Sequence, residues 1–202
     1  MAKPRNATRE CSQASPKSFW YSPLSSLPRT IRLTHPPQGA NSAAIAAYEQ
    51  MSKSPEFLTP LSWSDPAFSL SPYNLIFLPG GHEKGVRQLI DSPIIHHNLA
   101  TYFPLTKKPS ARTVAAVCHG VMVLSETPIE EEGPQKGKSV IHECVTTALP
   151  ARFEQVAFWG TRLVLGDYYK TYGAGSDDVE EAVRKRLDDP KKQYKNSLGM
   201  NP

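Results

Sequence analysis

A cysteine followed directly by histidine and glycine is the part of this sequence best suited to chemistry. Cys118, His119 and Gly120 follow the short apolar run 112–117, which predicts a buried strand, and residues 119–126 predict a helix. A strand that turns at once into a helix holds its turning residue in a strained, outward position. Because the N-terminus of a helix presents free N–H groups and partial positive charge, we expect this turn to favour the thiolate of Cys118. The turn therefore predicts a reactive cysteine, the alternative being an inert core cysteine.

A glycine turn ends the preceding apolar run in the same way. Residues 74–78 predict a second buried strand, which stops at Pro79, Gly80 and Gly81. Ligands of open α/β sheets bind beyond the carboxyl ends of the strands, where both turns would lie. If the two turns share one sheet edge, the backbone N–H groups of Gly81 and His119 converge on a developing oxyanion.

The elements that must position these turns alternate between strand and helix. A third strand is predicted at 138–142, and helices at 41–52, 83–90, from Ser92 onward and at 176–187. The expected caps are Asn41 or Ser42, Ser92 and Ser176, and the helix after Ser92 is expected to bury Ile94, Leu99, Tyr102 and Phe103. Residues 149–175 contain aromatics and glycines without a clean period. The order favours a parallel sheet with helices on its faces.

Composition and charge limit which binding partners and which cellular compartment are expected. Residues 1–40 show no sustained period and predict an irregular basic arm, with six basic residues and one acidic residue in the first 48. No Arg-rich run or nucleic-acid motif accompanies these charges, so no nucleic acid partner is expected. No apolar run approaches the ~18 residues of a membrane span. Cys11, Cys118 and Cys144 are too few and scattered for a disulfide framework, which predicts a reducing, cytoplasmic location.

Other groups of residues give weaker evidence for a functional site. His142 and Cys144 would share one face of the predicted third strand, but no further Cys or His pair completes a four-ligand site, so neither a metal nor a cofactor is expected. The turn at Gly80 and Gly81 lacks the Lys and Ser/Thr of a phosphate-binding loop. The sequence contains no Gly-x-Ser-x-Gly, which argues against a serine hydrolase.

Several motifs in order give the sequence a family resemblance. They are residues 78–83 (LPGGHE), 116–120 (AVCHG), 146–154 (TTALPARFE) and 166–173 (GDYYKTYG). Together they resemble the ThiJ/PfpI (DJ-one) superfamily of the class I glutamine amidotransferase-like fold, and more closely its fungal-type members with a GGHEKG turn. The similarity covers roughly residues 41–199.

The resemblance implies an α/β, flavodoxin-like three-layer sandwich with a mostly parallel sheet, frequent homodimers, and chemistry on small carbonyl or acyl substrates. Carried over by position, Cys118 would be the nucleophile, His119 the proton-transfer partner and Gly81 an oxyanion donor. The same turn would supply binding residues at Gly80, His82 and Glu83.

The sequence also departs from the family pattern. Its members usually begin with a strand followed by a Glu that approaches the cysteine, and usually close with a further strand and helix. We therefore expect a domain at 41–190 that lacks the first strand and the last strand and helix, with a C-terminal tail at 191–202. Glu143 and Glu154 are alternatives for orienting His119, although solvated surface positions are the simpler expectation for both.

Two classes of function follow from these expectations. The first is an enzyme with a cysteine nucleophile that acts on a small carbonyl, thioester or amide, with glyoxalase III-like lyase or hydrolase chemistry. A tailoring step in secondary metabolism is one setting for it. The second is a non-catalytic relative that acts as a chaperone-like or redox-responsive binding protein.

Overall fold

Short helices alternate with two parallel strands. The computed structural model describes residues 41–82 and 84–196. In chain order the elements are α1 (Ser42–Ser52), α2 (Pro55–Leu58), β1 (Leu75–Leu78), α3 (Arg87–Ile90), α4 (Pro93–Tyr102), β2 (Thr113–Ala116), α5 (Gly120–Glu126), α6 (Ala151–Leu165), α7 (Val179–Arg184) and α8 (Pro190–Gln193). Short 3₁₀ turns at Lys84–Val86 and Phe103–Thr106 precede α3 and follow α4. Within the described ranges, no helix is both long and apolar enough to cross a membrane.

The two strands pair in parallel, which confirms the α/β fold expected from the sequence. Leu75 lies opposite Thr113, and Leu78 lies opposite Ala116. Because the strands run in the same direction and in register, the turns that follow them leave from one edge of the sheet. The crossover between them contains α3 and α4, and α4 begins at Pro93 with the Ser92 side chain as its cap, as expected.

One face of the sheet lies on the core. Ile76 and Leu78 are buried and belong to the same apolar cluster as Leu99 of α4 and Val123 of α5. Phe77 points to the opposite face and is 51 % exposed. A three-layer arrangement would cover that face as well, but within the described part of the chain the neighbouring side chain of Leu75 is also exposed.

The expected third strand at 138–142 is instead a run of turns. The Ser139 hydroxyl accepts a hydrogen bond from the backbone N–H of Ile141 (3.2 Å), and the Ser139 carbonyl accepts one from the N–H of His142 (3.0 Å). Such local bonds satisfy the backbone without a neighbouring strand. Ser139 retains only an isolated antiparallel bridge to Pro128.

Two helix predictions also require correction. Residues 151–165 form α6, although no helical period was evident in the sequence. The period was hidden because apolar side chains on several faces of the helix mask the narrow buried stripe of Glu154 and Phe158. The helix expected at 176–187 spans only Val179–Arg184, and its cap is Asp178, which forms a capping box with Glu181. That box satisfies two otherwise free backbone N–H groups and so defines where the helix begins.

Smaller differences concern packing and the C-terminal residues. On α4 the buried position is Ile95, whereas Ile94 is 44 % exposed. Residues 191–196, expected in a tail, contact the domain, since Tyr194 is buried and pairs with Thr146 in a parallel bridge. The predicted basic arm at 1–40 lies outside the described residues.

Candidate active site

Cys118 occupies a strained turn between β2 and α5. Its φ is 55°, and among the described residues it is the one non-glycine residue with positive φ. This conformation costs an L-amino acid about 1–2 kcal/mol, so the surrounding structure must hold it in place. The N–H of Gly120 donates to the carbonyl of Val117 (2.9 Å), and the N–H of Val121 donates to that of Cys118 (3.2 Å). The turn is thus closed by the first hydrogen bonds of α5.

Two glycines allow the turns after β1 and β2 to touch. A Cβ on Gly80 would lie 2.6 Å from the Cβ of Cys118. A Cβ on Gly120 would lie 2.2 Å from the carbonyl oxygen of Leu78. Real Cβ atoms do not approach this closely, so both positions require glycine for the observed packing. The contact brings the glycine turn directly against the cysteine.

The sulfur of Cys118 lies among hydrogen-bond donors. The backbone N–H groups of His119 and Gly81 point to it, and its Sγ lies 3.3 Å from Nδ1 of His119. Burial nevertheless raises the pKa of the Cys118 thiol, and the negative charge of Glu154 raises it further, against the opposing effect of the two N–H groups. The sequence predicted a turn that favours thiolate, but desolvation of the half-buried sulfur outweighs the donors.

His119 is a neutral imidazole at neutral pH. Its side chain is fully buried, and burial together with the nearby charge of His82 lowers its pKa to about 4. Nε2 is buried without a hydrogen-bond partner, and no carboxylate in the described part of the chain orients the ring. The resting pair is therefore a neutral thiol beside a neutral imidazole.

His82 and Tyr169 form a wall beside this pair. The rings of His82 and His119 meet edge to face with centroids 4.9 Å apart, and Tyr169 packs on His82 at the same distance. An ion pair of 2.7 Å between Lys84 and Asp167 holds the two segments together. Tyr169 was missed as a site residue, although it lies in the motif at 166–173 that carried the resemblance. Glu83 lies outside the described residues.

Glu154 is buried rather than solvated. It is 1 % exposed, its Oε2 accepts the N–H of Val179 (3.0 Å), and its Oε1 lies 3.9 Å from Nζ of Lys170. Burial raises the pKa of the Glu154 carboxyl. It acts on Cys118 through its charge, and no hydrogen bond joins it to His119. The side chain of Glu143 is 70 % exposed and lies beside His142, as a surface position would.

Two other features lie away from Cys118. A cleft of about 720 Å³ is lined by Asp91, Met122, Glu126 and Tyr172 among others, and neither Cys118 nor His119 lines it. His142, Glu143 and Asp188 bring three potential ligand atoms within 4.8 Å of one another. Neither feature shares a residue with the cysteine site.

Comparison with known proteins gives the family. The family model described as ThiJ/PfpI family-like matches residues 33–197. An uncharacterized protein of Schizosaccharomyces pombe, C14C4.04, is 34 % identical over 87 residues, which cover 43 % of this chain and 33 % of that protein. The match thus spans about a third of the length of the curated relative. No solved structure matches the chain significantly. With the family match covering most of the sequence, this chain belongs to the ThiJ/PfpI-like family.

Proposed function

We propose that this protein is a cysteine-dependent enzyme that acts on a small carbonyl, thioester or amide substrate. One observation carries the proposal: Cys118 occupies a positive-φ turn with two backbone N–H groups at its sulfur and an imidazole nitrogen at 3.3 Å. A core cysteine needs none of these features. Strain at a non-glycine residue, supported by two interlocked glycine positions, is typical of functional sites.

The neutral resting pair sets the order of events. Because burial opposes charge on both groups, a proton is not transferred from Cys118 to His119 in advance. As the sulfur bonds to the substrate carbon, its proton passes to Nδ1 of His119 and the carbonyl π electrons move to oxygen. The N–H groups of Gly81 and His119 stabilise that oxyanion. For an α-oxoaldehyde such as methylglyoxal, a proton shift within the adduct and hydrolysis of the thioester give lactate, so that one water is consumed overall.

The test is turnover of methylglyoxal by the purified 202-residue chain, with lactate measured as product. Cys118→Ala should abolish turnover, and His119→Ala should lower kcat by about 10²–10⁴. Cys144→Ala is the matched control, because Cys144 is also a half-buried free cysteine whose pKa is raised by burial. Full activity in Cys118→Ala would refute the proposal, as would equal losses in the two cysteine variants.

A second candidate is a chaperone-like or redox-responsive binding protein. The observation that favours it is apolar exposure on α6, where Val156, Trp159 and Leu163 recur at helical spacing and are 73 %, 66 % and 102 % exposed. Such a protein would suppress aggregation of a denatured client without turning over methylglyoxal. Replacing Leu163 with Glu would weaken that suppression, whereas Cys118→Ala would leave it unchanged.

We also propose that the chain forms the homodimer implied by its family resemblance and has the cytoplasmic location predicted from its few, scattered cysteines. Light scattering on the purified chain tests the first, since a monomer mass at micromolar concentration would contradict it. Cell fractionation tests the second. A free thiol at Cys118 is required for the chemistry, and reducing compartments maintain it.

A further inference from the structure

We propose that His142, Glu143 and Asp188 form a binding site for a divalent transition-metal ion of the zinc class, separate from the cysteine site. The three residues lie in the turns after α5 and just after α7. No metal was expected from the sequence, because no further Cys or His pair completes a four-ligand site with His142 and Cys144, and Asp188, 46 positions after His142, was not considered as a ligand. The fold brings their ligand atoms within 4.8 Å of one another.

His142 is already oriented as a metal ligand. Its Nδ1 lies 2.9 Å from the carbonyl oxygen of Ser139, which can only accept, so Nδ1 carries the proton and Nε2 has a free lone pair. The side chain is 8 % exposed, and Nε2 is buried without a hydrogen-bond partner. Metal-bound histidines usually donate their other N–H to a carbonyl or carboxylate in this way.

Two carboxylates face this lone pair. Nε2 lies 3.7 Å from Oε1 of Glu143 and 4.0 Å from Oδ2 of Asp188. Those distances are too long for hydrogen bonds, and a cation placed between the three electron-rich atoms would be attracted to all of them. Bond lengths of about 2.0–2.2 Å to zinc place tetrahedral ligand atoms roughly 3.4 Å apart. Small rotations of the exposed Glu143 and Asp188 side chains would close the remaining gap.

The main chain fixes the two distant ligands to each other. The N–H of Asp188 donates to the carbonyl of His142 (2.9 Å), and the same carbonyl accepts from Nε2 of Gln193 (2.7 Å). Lys138 Nζ lies 2.9 Å from each carboxylate oxygen of Asp188 and is the competing cation. A bound ion would take Oδ2 and leave Lys138 on Oδ1.

The chemistry of the ligands selects the class of ion. A buried imidazole with two carboxylates suits Zn²⁺, Co²⁺ or Ni²⁺, whereas Ca²⁺ and Mg²⁺ prefer sites made of oxygen. Since the side chains of Glu143 and Asp188 are 70 % and 43 % exposed, water would fill the remaining positions.

The test is titration of the metal-free 202-residue chain with Zn²⁺ in competition with a chromophoric chelator, and with Co²⁺ followed by visible absorption. Cys118→Ser serves as the background, so that no thiolate of the cysteine site contributes. We expect one equivalent to bind. His142→Gln, Glu143→Gln and Asp188→Asn should each weaken binding by at least about 10-fold, the lower range seen for loss of supporting groups.

His97→Gln is the matched control, since His97 forms an exposed pair with Glu130 (2.8 Å) outside the site and its loss should not change the affinity. Glu143→Gln guards against misfolding, because the exposed Glu143 side chain contributes no core packing. Unchanged affinity in His142→Gln or in a folded Glu143→Gln would overturn the proposal, as would absence of binding to the background protein.

Discussion

Gly120→Ala should destabilise the protein and displace the cysteine turn. The added Cβ would lie 2.2 Å from the oxygen of Leu78 and 2.8 Å from that of Pro79, where ordinary contact begins at 3.4 Å. Both neighbours are backbone atoms and cannot rotate away. Overpacking of this kind costs about 1–3 kcal/mol. The shift also threatens the bond from the N–H of Val117 to the Leu78 carbonyl (3.1 Å), worth about 0.5–1.5 kcal/mol.

Alanine gains at most about 1 kcal/mol in helix propensity over glycine, so the free energy of unfolding should fall by about 0.5–3.5 kcal/mol. Urea unfolding followed by circular dichroism measures it, and the rate of iodoacetamide alkylation of Cys118 reports on the turn. Gly160→Ala is the control, because a Cβ there meets no heavy atom within 4 Å and should stabilise α6 by about 0.5–1 kcal/mol. If both variants shift the midpoint in the same direction, the packing argument is wrong.

Three further results follow from the site. Cys118→Gly should raise the free energy of unfolding by about 1 kcal/mol, because relief of about 1–2 kcal/mol of strain at a φ of 55° exceeds the about 0.4–1 kcal/mol that glycine costs by adding unfolded-state entropy. The variant should also lose site-specific alkylation, and an unchanged or lowered midpoint would contradict the prediction. The free energy of unfolding should fall as pH drops from 6.5 towards 4, because His119 takes up a proton in the unfolded chain but stays neutral when buried in the folded protein. Urea titrations at several pH values measure this fall, and His119→Gln should make it smaller. Lys170→Met should lower the free energy of unfolding by about 3–5 kcal/mol, because buried Lys170 lies 3.9 Å from Glu154 and also bonds Asp178, so both carboxylates would lose their cation. Urea unfolding at pH 7 measures the loss, and a value under about 1 kcal/mol would refute the prediction.

Local sequence predicted the elements that carry the turns. The apolar runs at 74–78 and 112–117 and the cap at Ser92 were recovered because short buried strands and N-caps depend on neighbouring residues. Residues 138–142, with apolar Val140 and Ile141 at their centre, were also predicted as a strand but form turns. Whether such a run becomes a strand depends on a partner strand, and the Ser139 hydroxyl and carbonyl supply a local alternative.

For the site, sequence alone predicted that Cys118, His119 and the glycines lie in two turns that each follow a buried strand. The parallel pairing of β1 with β2 then placed both turns at one edge of the sheet. Tertiary structure decided everything that depends on distance and burial. It raised the pKa of the Cys118 thiol through desolvation, kept His119 neutral, placed Tyr169 on His82 and buried Glu154. These effects arise between segments far apart in the chain, and electrostatic free energies depend on the dielectric around a group, which no local pattern of residues specifies.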